Sequence, residues 1–335
     1  MYPVINLHND LLSCVEFDEN KYGFHSRELR CALPQLVEGN VQLEVLTLAT
    51  VTTPQSVIRG ERQLKLYSEL LLECADQITP YKGQGLHKDK IQVLLAIENA
   101  SILGSETEPF PFIIERFDAI RKLGKILYIS LTWNHENAFG GGNATEIGLK
   151  PYGLKLLEYL DKKNIAIDFS HTSDALAYDI LNTIEKKKLQ IPFIASHSNL
   201  RAICDVKRNL PDEIAIELFN KKAIMGLNFV RYFIGEAPVD LIHHIEHALK
   251  LGGEHALALG ADFFEGFEVP SHLKSKYGPP YFFEELGNAS TYPYFFKMIQ
   301  SNFPESLLKK IAYENALTYI NRYIPKQNSL GSLLS

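Results

Sequence analysis

The chain has 335 residues, 46% of them hydrophobic, so it can bury a large core, and its 22% charged residues leave a formal net charge of −6. That balance, with no basic stripe to override it, argues against nucleic acid or an anionic membrane surface as partner. No run approaches the ~18 consecutive apolar residues of a membrane helix, no basic-then-apolar leader precedes the first predicted strand, and Cys14, Cys31, Cys74 and Cys204 lack framework spacing. The expectation is a cytoplasmic protein with reduced thiols.

The first apolar run predicts a strand over 3–8 that ends on the first residue of His8-Asn9-Asp10. A second strand is predicted over 41–49 and a helix over 60–76, with a third strand over 91–98 that closes on Glu98. A helix over 111–123 leads to a strand over 126–133, ending at Trp133, and a helix over 153–163. The strand over 165–171 ends at His171. The helix over 173–187 has Ser173 as N-cap and Asp174 in its first turn, where a negative charge suits the helix dipole. Strands over 191–197, 223–229 and 257–263 end near His197, Asn228 and Asp262, with helices over 211–221 and 238–251 between them. Two more helices fall near 291–301 and 305–321.

Eight strands alternating with helices predict a (β/α)8 TIM barrel, in which chemistry gathers at the C-terminal ends of the strands. A doubly wound open sheet would show a glycine-rich turn after its first strand, where this chain has His-Asn-Asp. No shift in composition marks a boundary, so one barrel domain is expected over 1–325 with a tail over 326–335. Segment 264–290, rich in Pro, Gly, Tyr and Phe, reads as a long loop over the barrel mouth.

Singly, each polar strand end has an ordinary structural explanation, such as a satisfied core histidine or a buried glutamate with a cationic partner. Five together do not, because burying unpaired polar groups costs free energy. Neighbouring strands lie about 4.8 Å apart, so such side chains converge within coordination reach. His8 and Asp10 could hold one divalent ion, His171 and His197 another, with Glu98 bridging and Asp262 free as general base.

The ordered set His8-Asn-Asp-Leu11, Leu33-Pro-Gln-Leu36, Glu98, Leu131-Thr132, Gly148-Leu-Lys-Pro-Tyr-Gly153, Ile167-Asp-Phe-Ser-His171, Ser196-His-Ser198, Lys207-Arg-Asn-Leu-Pro211, Asn228-Phe229, Gly260-Ala-Asp-Phe263 and Asn315 resembles the membrane (renal) dipeptidase family, peptidase family M19. The resemblance runs from about residue 3 to 321. It implies a binuclear-zinc dipeptidase with His8, Asp10, Glu98, His171 and His197 as ligands, Asp262 as proton-transfer acid and a homodimer as assembly. It also implies that Arg208, with Asn209 beside it, binds the substrate's terminal carboxylate, a task suited to a guanidinium's paired donors.

The chain departs from the family at Asn6, where an acid is usual, and at Leu131-Thr-Trp133-Asn-His135. If that stretch is extended, His135 shares a face with Trp133 and could replace the family's oxyanion histidine. The Asp262-Phe-Phe-Glu265-Gly266 stretch carries an extra residue, and Phe233, beside Tyr232, stands where a tyrosine is frequent. These changes bear on substrate choice more than on reaction type.

His243, His244 and His247 form H-H-x-E-H rather than H-E-x-x-H and read as a solvated helix face. Gly140-Gly141-Gly142 reads as a flexible loop near the mouth, and Tyr277, Tyr281, Phe282 and Phe283 as loop packing.

The expected activity is hydrolysis of dipeptides through a hydroxide bridging two Zn²⁺ ions, with Mn²⁺ or Co²⁺ as substitutes allowed by the ligand types. The alternatives are a related hydrolase of another small amide or lactone, and a catalytically silent binding barrel.

Overall fold

The computed structural model describes residues 1–83, 85–265 and 278–324. Nine strands form one parallel sheet: β1 Val4–Asn9, β2 Val41–Ala49, β3 Ile78–Pro80, β4 Ile91–Glu98, β5 Ile126–Ser130, β6 Ala166–Asp168, β7 Phe193–Ala195, β8 Ile224–Leu227 and β9 Leu257–Leu259. β2 pairs with both β1 and β4, and β9 pairs with β1, so eight strands close into a (β/α)8 barrel. Strand β3 was not anticipated. Its three residues pair with Ile91, Gln92 and Val93 on the edge of β4 that β5 takes over from Leu95 onward. Ile-Thr-Pro is too short to show a period and ends in the residue that cannot donate to a ladder.

The predicted strands up to β4 lie within one residue of their expected limits, whereas those after β4 stop one to three residues short of the polar ends expected within them. Ser170, His171, Ser196 and His197 lie on turns just past their ladders. These backbones leave the sheet to aim side chains over the barrel.

The expected helices appear as α3 Ser56–Glu73, α4 Phe110–Leu123, α5 Pro151–Leu160, α6 Asp174–Lys187, α7 Asp212–Asn220, α9 Asp240–Lys250 and α10 Tyr292–Ile299. Ser173 caps α6 by accepting from the Leu176 amide at 2.9 Å. Short helices α1 Leu11–Phe17, α2 Leu33–Glu38 and α8 Arg231–Ile234 were missed, each being too brief for a clear helical period. The helix predicted over 305–321 is α11 Glu305–Lys309, a π turn over Lys310–Glu314, and α12 Asn315–Tyr323. Asn315 opens α12 and donates to the carbonyls of Glu254 and Leu257, at 2.9 and 2.8 Å, tying the helix to the start of β9. Tyr319 and Ile320 pack with strand residues Ile5, Leu7, Leu94 and Ala258 in one buried cluster.

Within the expected mouth loop, Phe282 is buried against Phe263, 5.3 Å between centroids, and Phe264 lies 5.1 Å from Tyr281. Tyr277, Gly266 and the tail over 326–335 lie outside the described residues. Gly140, Gly141 and Gly142 are buried, not free in solvent: the carbonyl of Gly141 accepts from Ser173, and a Cβ on Gly142 would overlap the Trp133 carbonyl oxygen. No helix among the described residues is long and apolar enough to cross a membrane.

Candidate metal centre

The barrel brings five predicted ligands and Asp262 into one buried cluster at the C-terminal ends of the strands. His8 Nε2 lies 3.8 Å from Asp10 Oδ2, 3.7 Å from Glu98 Oε2 and 3.6 Å from Asp262 Oδ1. On the far side, Glu98 Oε1 lies 2.8 Å from His171 Nε2 and 3.4 Å from His197 Nε2, and these two nitrogens are 3.0 Å apart. Glu98 thus divides its oxygens between two donor sets. His8-Asp10-Glu98, Glu98-His171-His197 and His8-His197-Asp262 each have ligand atoms within 4.8 Å of one another.

Partners at Nδ1 orient each imidazole. His8 Nδ1 lies 2.8 Å from the Tyr128 hydroxyl, which itself donates to the Leu7 carbonyl and so is left to accept from His8. His171 Nδ1 lies 2.8 Å from Asn134 Oδ1, and His197 Nδ1 lies 2.6 Å from Ser196 Oγ. Ser196 gives its proton to Asp168 Oδ2 at 2.7 Å, leaving its oxygen to accept from His197. In its neutral form each ring then carries its proton on Nδ1 and turns a bare Nε2 inward, the tautomer that binds a metal. His8 Nε2 is buried and has no hydrogen-bond partner, which suits coordination. Three nitrogens with carboxylate oxygens match a borderline divalent ion such as zinc, and these residues fit such a group.

Asp10 is braced as well, its Oδ1 accepting from Thr47 Oγ1 at 3.1 Å while Oδ2 faces His8. The backbones of His171 and Asp262 sit in the left-handed region, φ 63° and 61°. Such conformations persist where surroundings impose them, and here they turn the side chains of the cluster off the ends of the strands. The His171 carbonyl is held by the Asn143 amide at 2.9 Å. Asp262 Oδ2 accepts from Asn228 Nδ2 at 2.8 Å.

The titration directions follow from crowding charges in a buried space. Burial opposes a charged His8, but Glu98, Asp10 and Asp262 outweigh it and raise its pKa to about 9. Burial pushes the Glu98 carboxyl well above its usual range and that of Asp262 up to about 6, with Asp10 adding repulsion to both. Burial lowers His171 and His197 well below the ordinary imidazole value, helped by the positive charges of Arg208 and His8.

Arg208 is 6% exposed and donates to the His197 carbonyl at 2.9 Å and to Ser198 Oγ at 3.3 Å, while its Nε has no partner. It is a buried cation beside the cluster. Asn209 Nδ2 is engaged by the carbonyls of Cys204 and Phe233, both at 2.9 Å, so its amide braces the loop.

β5 ends at Ser130 and residues 131–135 are mostly bends, so Trp133 and His135 do not share a strand face. His135 is exposed, which removes the basis for placing it in the site, and Asn134 is the residue that reaches His171. Trp133 stands 5.9 Å from the His171 ring.

At the Asn6 departure, Asn6 Nδ2 donates to Glu44 Oε1 and to the His8 carbonyl, both at 2.6 Å, and its Oδ1 accepts from the Ala261 amide. An acid therefore stands beside Asn6, supplied by β2. Glu265 pairs instead with Arg30, 2.7 Å away. His244 corrects the reading of 243–247: it is fully buried, whereas His243 is exposed and His247 pairs with Asp212 at 2.8 Å.

Sequence reasoning missed Tyr128, Asn134, Ser196 and Asp168 as orienting partners. Only Asp168 carried a local signal, as an acid between apolar residues of a predicted strand.

The structure resembles a metallo peptidase of Rhodobacter sphaeroides described as liganded with a phosphinate mimic of the dipeptide L-Ala-D-Ala, with TM-score 0.79 and 19% identity over 96% of this chain and 99% of that one. It also resembles an amidohydrolase of Pseudomonas aeruginosa, with TM-score 0.77 and 16% identity over 96% of each chain. An uncharacterised dipeptidase of Schizosaccharomyces pombe is 27% identical over 241 residues, 68% of this chain and 55% of that protein. An uncharacterised protein of Klebsiella pneumoniae is 28% identical over 164 residues, 44% of this chain and 58% of that protein. The chain thus spans about half the length of these two relatives. The profile described as membrane dipeptidase (peptidase family M19) matches residues 1–324. This barrel, with its cluster of acids and imidazoles at the strand ends, belongs to the membrane dipeptidase family, peptidase family M19.

Proposed function

We propose that the chain hydrolyses dipeptides with two divalent ions, zinc by ligand type, held by His8, Asp10, Glu98, His171 and His197. The observation that carries this reading is the division of Glu98, one oxygen toward His8 and the other toward His171 and His197. The phosphinate dipeptide mimic held by the Rhodobacter sphaeroides peptidase is a ligand of the class proposed here. Bound, the ions supply an activated water and offset the charge that develops on the scissile carbonyl oxygen.

The chain's own residues do the rest. Arg208 pairs with the terminal carboxylate and sets the peptide's direction across the cluster. Asp262, with a pKa near 6 and one oxygen fixed by Asn228, takes a proton from the attacking water at Oδ1. It then passes that proton to the departing nitrogen as the C–N bond breaks, so a carboxylic acid and a free amine leave. Tyr128, Asn134 and Ser196 keep the imidazoles from turning their protonated nitrogens inward.

The test is hydrolysis of L-L and L-D dipeptides, N-acyl amino acids and lactones by zinc-loaded and chelator-stripped protein. Metal-dependent cleavage of dipeptides, abolished by His171→Ala, supports the reading. Cleavage confined to N-acyl amino acids or lactones overturns the substrate class, and full activity of His171→Ala overturns the ligand assignment.

A further inference from the structure

Arg208 lies between two loops. One follows β7 and supplies the His197 carbonyl and Ser198 hydroxyl that receive its donors. The other follows β8 and lays the Phe233 ring 5.4 Å from its guanidinium carbon. Neither loop is part of the sheet, so something must fix their separation. Asn199 and Asn209 each donate to the Phe233 carbonyl, at 3.1 and 2.9 Å.

The third tie is His244, from α9. Its Nδ1 accepts the Leu200 amide at 3.1 Å and its Nε2 donates to the Ile234 carbonyl at 2.9 Å. Both nitrogens are spent, one on each loop, which selects the neutral tautomer protonated at Nε2. Leu200 also bridges to Leu210, two residues beyond Arg208, so its position passes directly to the arginine's segment. Core packing alone asks for an apolar side chain at this point of α9; a fully buried imidazole joining two loop backbones is a connector.

We propose that His244 is a positioning residue that holds Arg208 in its carboxylate-binding pose by pinning the loops on either side of it. The inference rests on the reading of Arg208 given above and deepens it. Loss of His244 leaves the ligands in place but loosens the guanidinium, so it weakens recognition of the free carboxylate rather than the chemical step.

The experiment compares kcat/KM for a dipeptide and for the same dipeptide with a C-terminal carboxamide, in the zinc-loaded wild type and in Arg208→Met, His244→Phe and His244→Gln. The wild type should prefer the free carboxylate, and Arg208→Met should erase that preference. His244→Phe should cut it about tenfold, mostly through KM, with metal content unchanged. His244→Gln keeps one donor and one acceptor and should recover most of it, with slow exchange of the Leu200 amide restored. Preference lost in Arg208→Met but intact in His244→Phe overturns the role of His244 alone, as does an equal loss on both substrates. No preference in the wild type, or one that survives Arg208→Met, overturns the reading of Arg208 and this inference with it. Should His244→Phe fail to fold, His244→Asn, too short to span both loops, takes its place.

Discussion

Asp168→Asn isolates what a single buried acid behind the metal cluster contributes. Asp168 is fully buried and accepts four hydrogen bonds: Ser130 Oγ and Ser196 Oγ at 2.7 Å on one oxygen, and the amides of Ser170 and Ser196 at 3.0 and 2.9 Å on the other. Asparagine keeps one acceptor oxygen, which must face the two amides because a backbone N–H cannot turn away. Its NH2 then meets the two hydroxyls. Two bonds to a charged acceptor, each worth roughly 1.5–3 kcal/mol, are replaced by weaker ones in which the hydroxyls accept, so a net loss of about 2–4 kcal/mol is expected. Ser196 must also redirect its proton, and the nearest new acceptor competes with the Nδ1–H of His197. A His197 ring driven to the other tautomer presents a protonated nitrogen to the ion, and metal affinity should fall roughly ten- to a hundredfold. Urea unfolding of metal-free protein reads the first effect, and competition against a chromophoric chelator reads the second. A variant within about 0.5 kcal/mol of wild type, with unchanged metal affinity, would refute this relay from Asp168 through Ser196 to His197.

Trp133, the chain's single tryptophan, stands 5.9 Å from the ring of His171, so zinc titration should change the intrinsic emission of the wild type and not that of His171→Ala. A signal that persists unchanged in His171→Ala would place the responding ion elsewhere. Burial lowers the pKa of His244 to about 4, against the partial opposition of the Ile234 carbonyl and Asp240, while the unfolded value lies near 6.5. The unfolded chain therefore binds the extra proton between those values, and the stabilising contribution is complete above pH ~6.5 and lost as pH falls toward ~4. About 3 kcal/mol is at stake, and His244→Gln should flatten that part of the stability–pH curve; an unaltered slope would count against it. Finally, a Cβ on Gly260 would overlap the Ser196 carbonyl oxygen next to His197, so Gly260→Ala should lower both the melting temperature and metal affinity. A variant that melts and binds zinc like wild type would show that the barrel can spread at this point.

The barrel and the cluster of acids and imidazoles at its strand ends were legible because both are written locally. Alternating short apolar runs and amphipathic stretches give the layer pattern, and His8, Glu98, His171, His197 and Asp262 stand at or within a residue of the ends predicted for their strands. The failures fall where the deciding partner is remote or the signal is too short. His135 was placed by assuming extended backbone beyond Ser130, but the chain bends there. Gly140–Gly142 looked free because glycine signals conformational latitude, whereas close approach to neighbouring backbone is what requires it here.

His244 was assigned to a wet face because its neighbours His243 and His247 do meet solvent or an acid, and three histidines in five residues cannot reveal which one points inward. Sequence by itself determined the fold class, the family and which acids and imidazoles gather at the strand ends, because strand periodicity and residue chemistry survive without any knowledge of contacts. Only the tertiary structure decided which nitrogen of each imidazole faces the site, since Tyr128 reaches His8 across 120 residues and Asn134 reaches His171 across 37. A tautomer is set by whatever sits at the opposite side of the ring, and closure of the barrel is what puts it there.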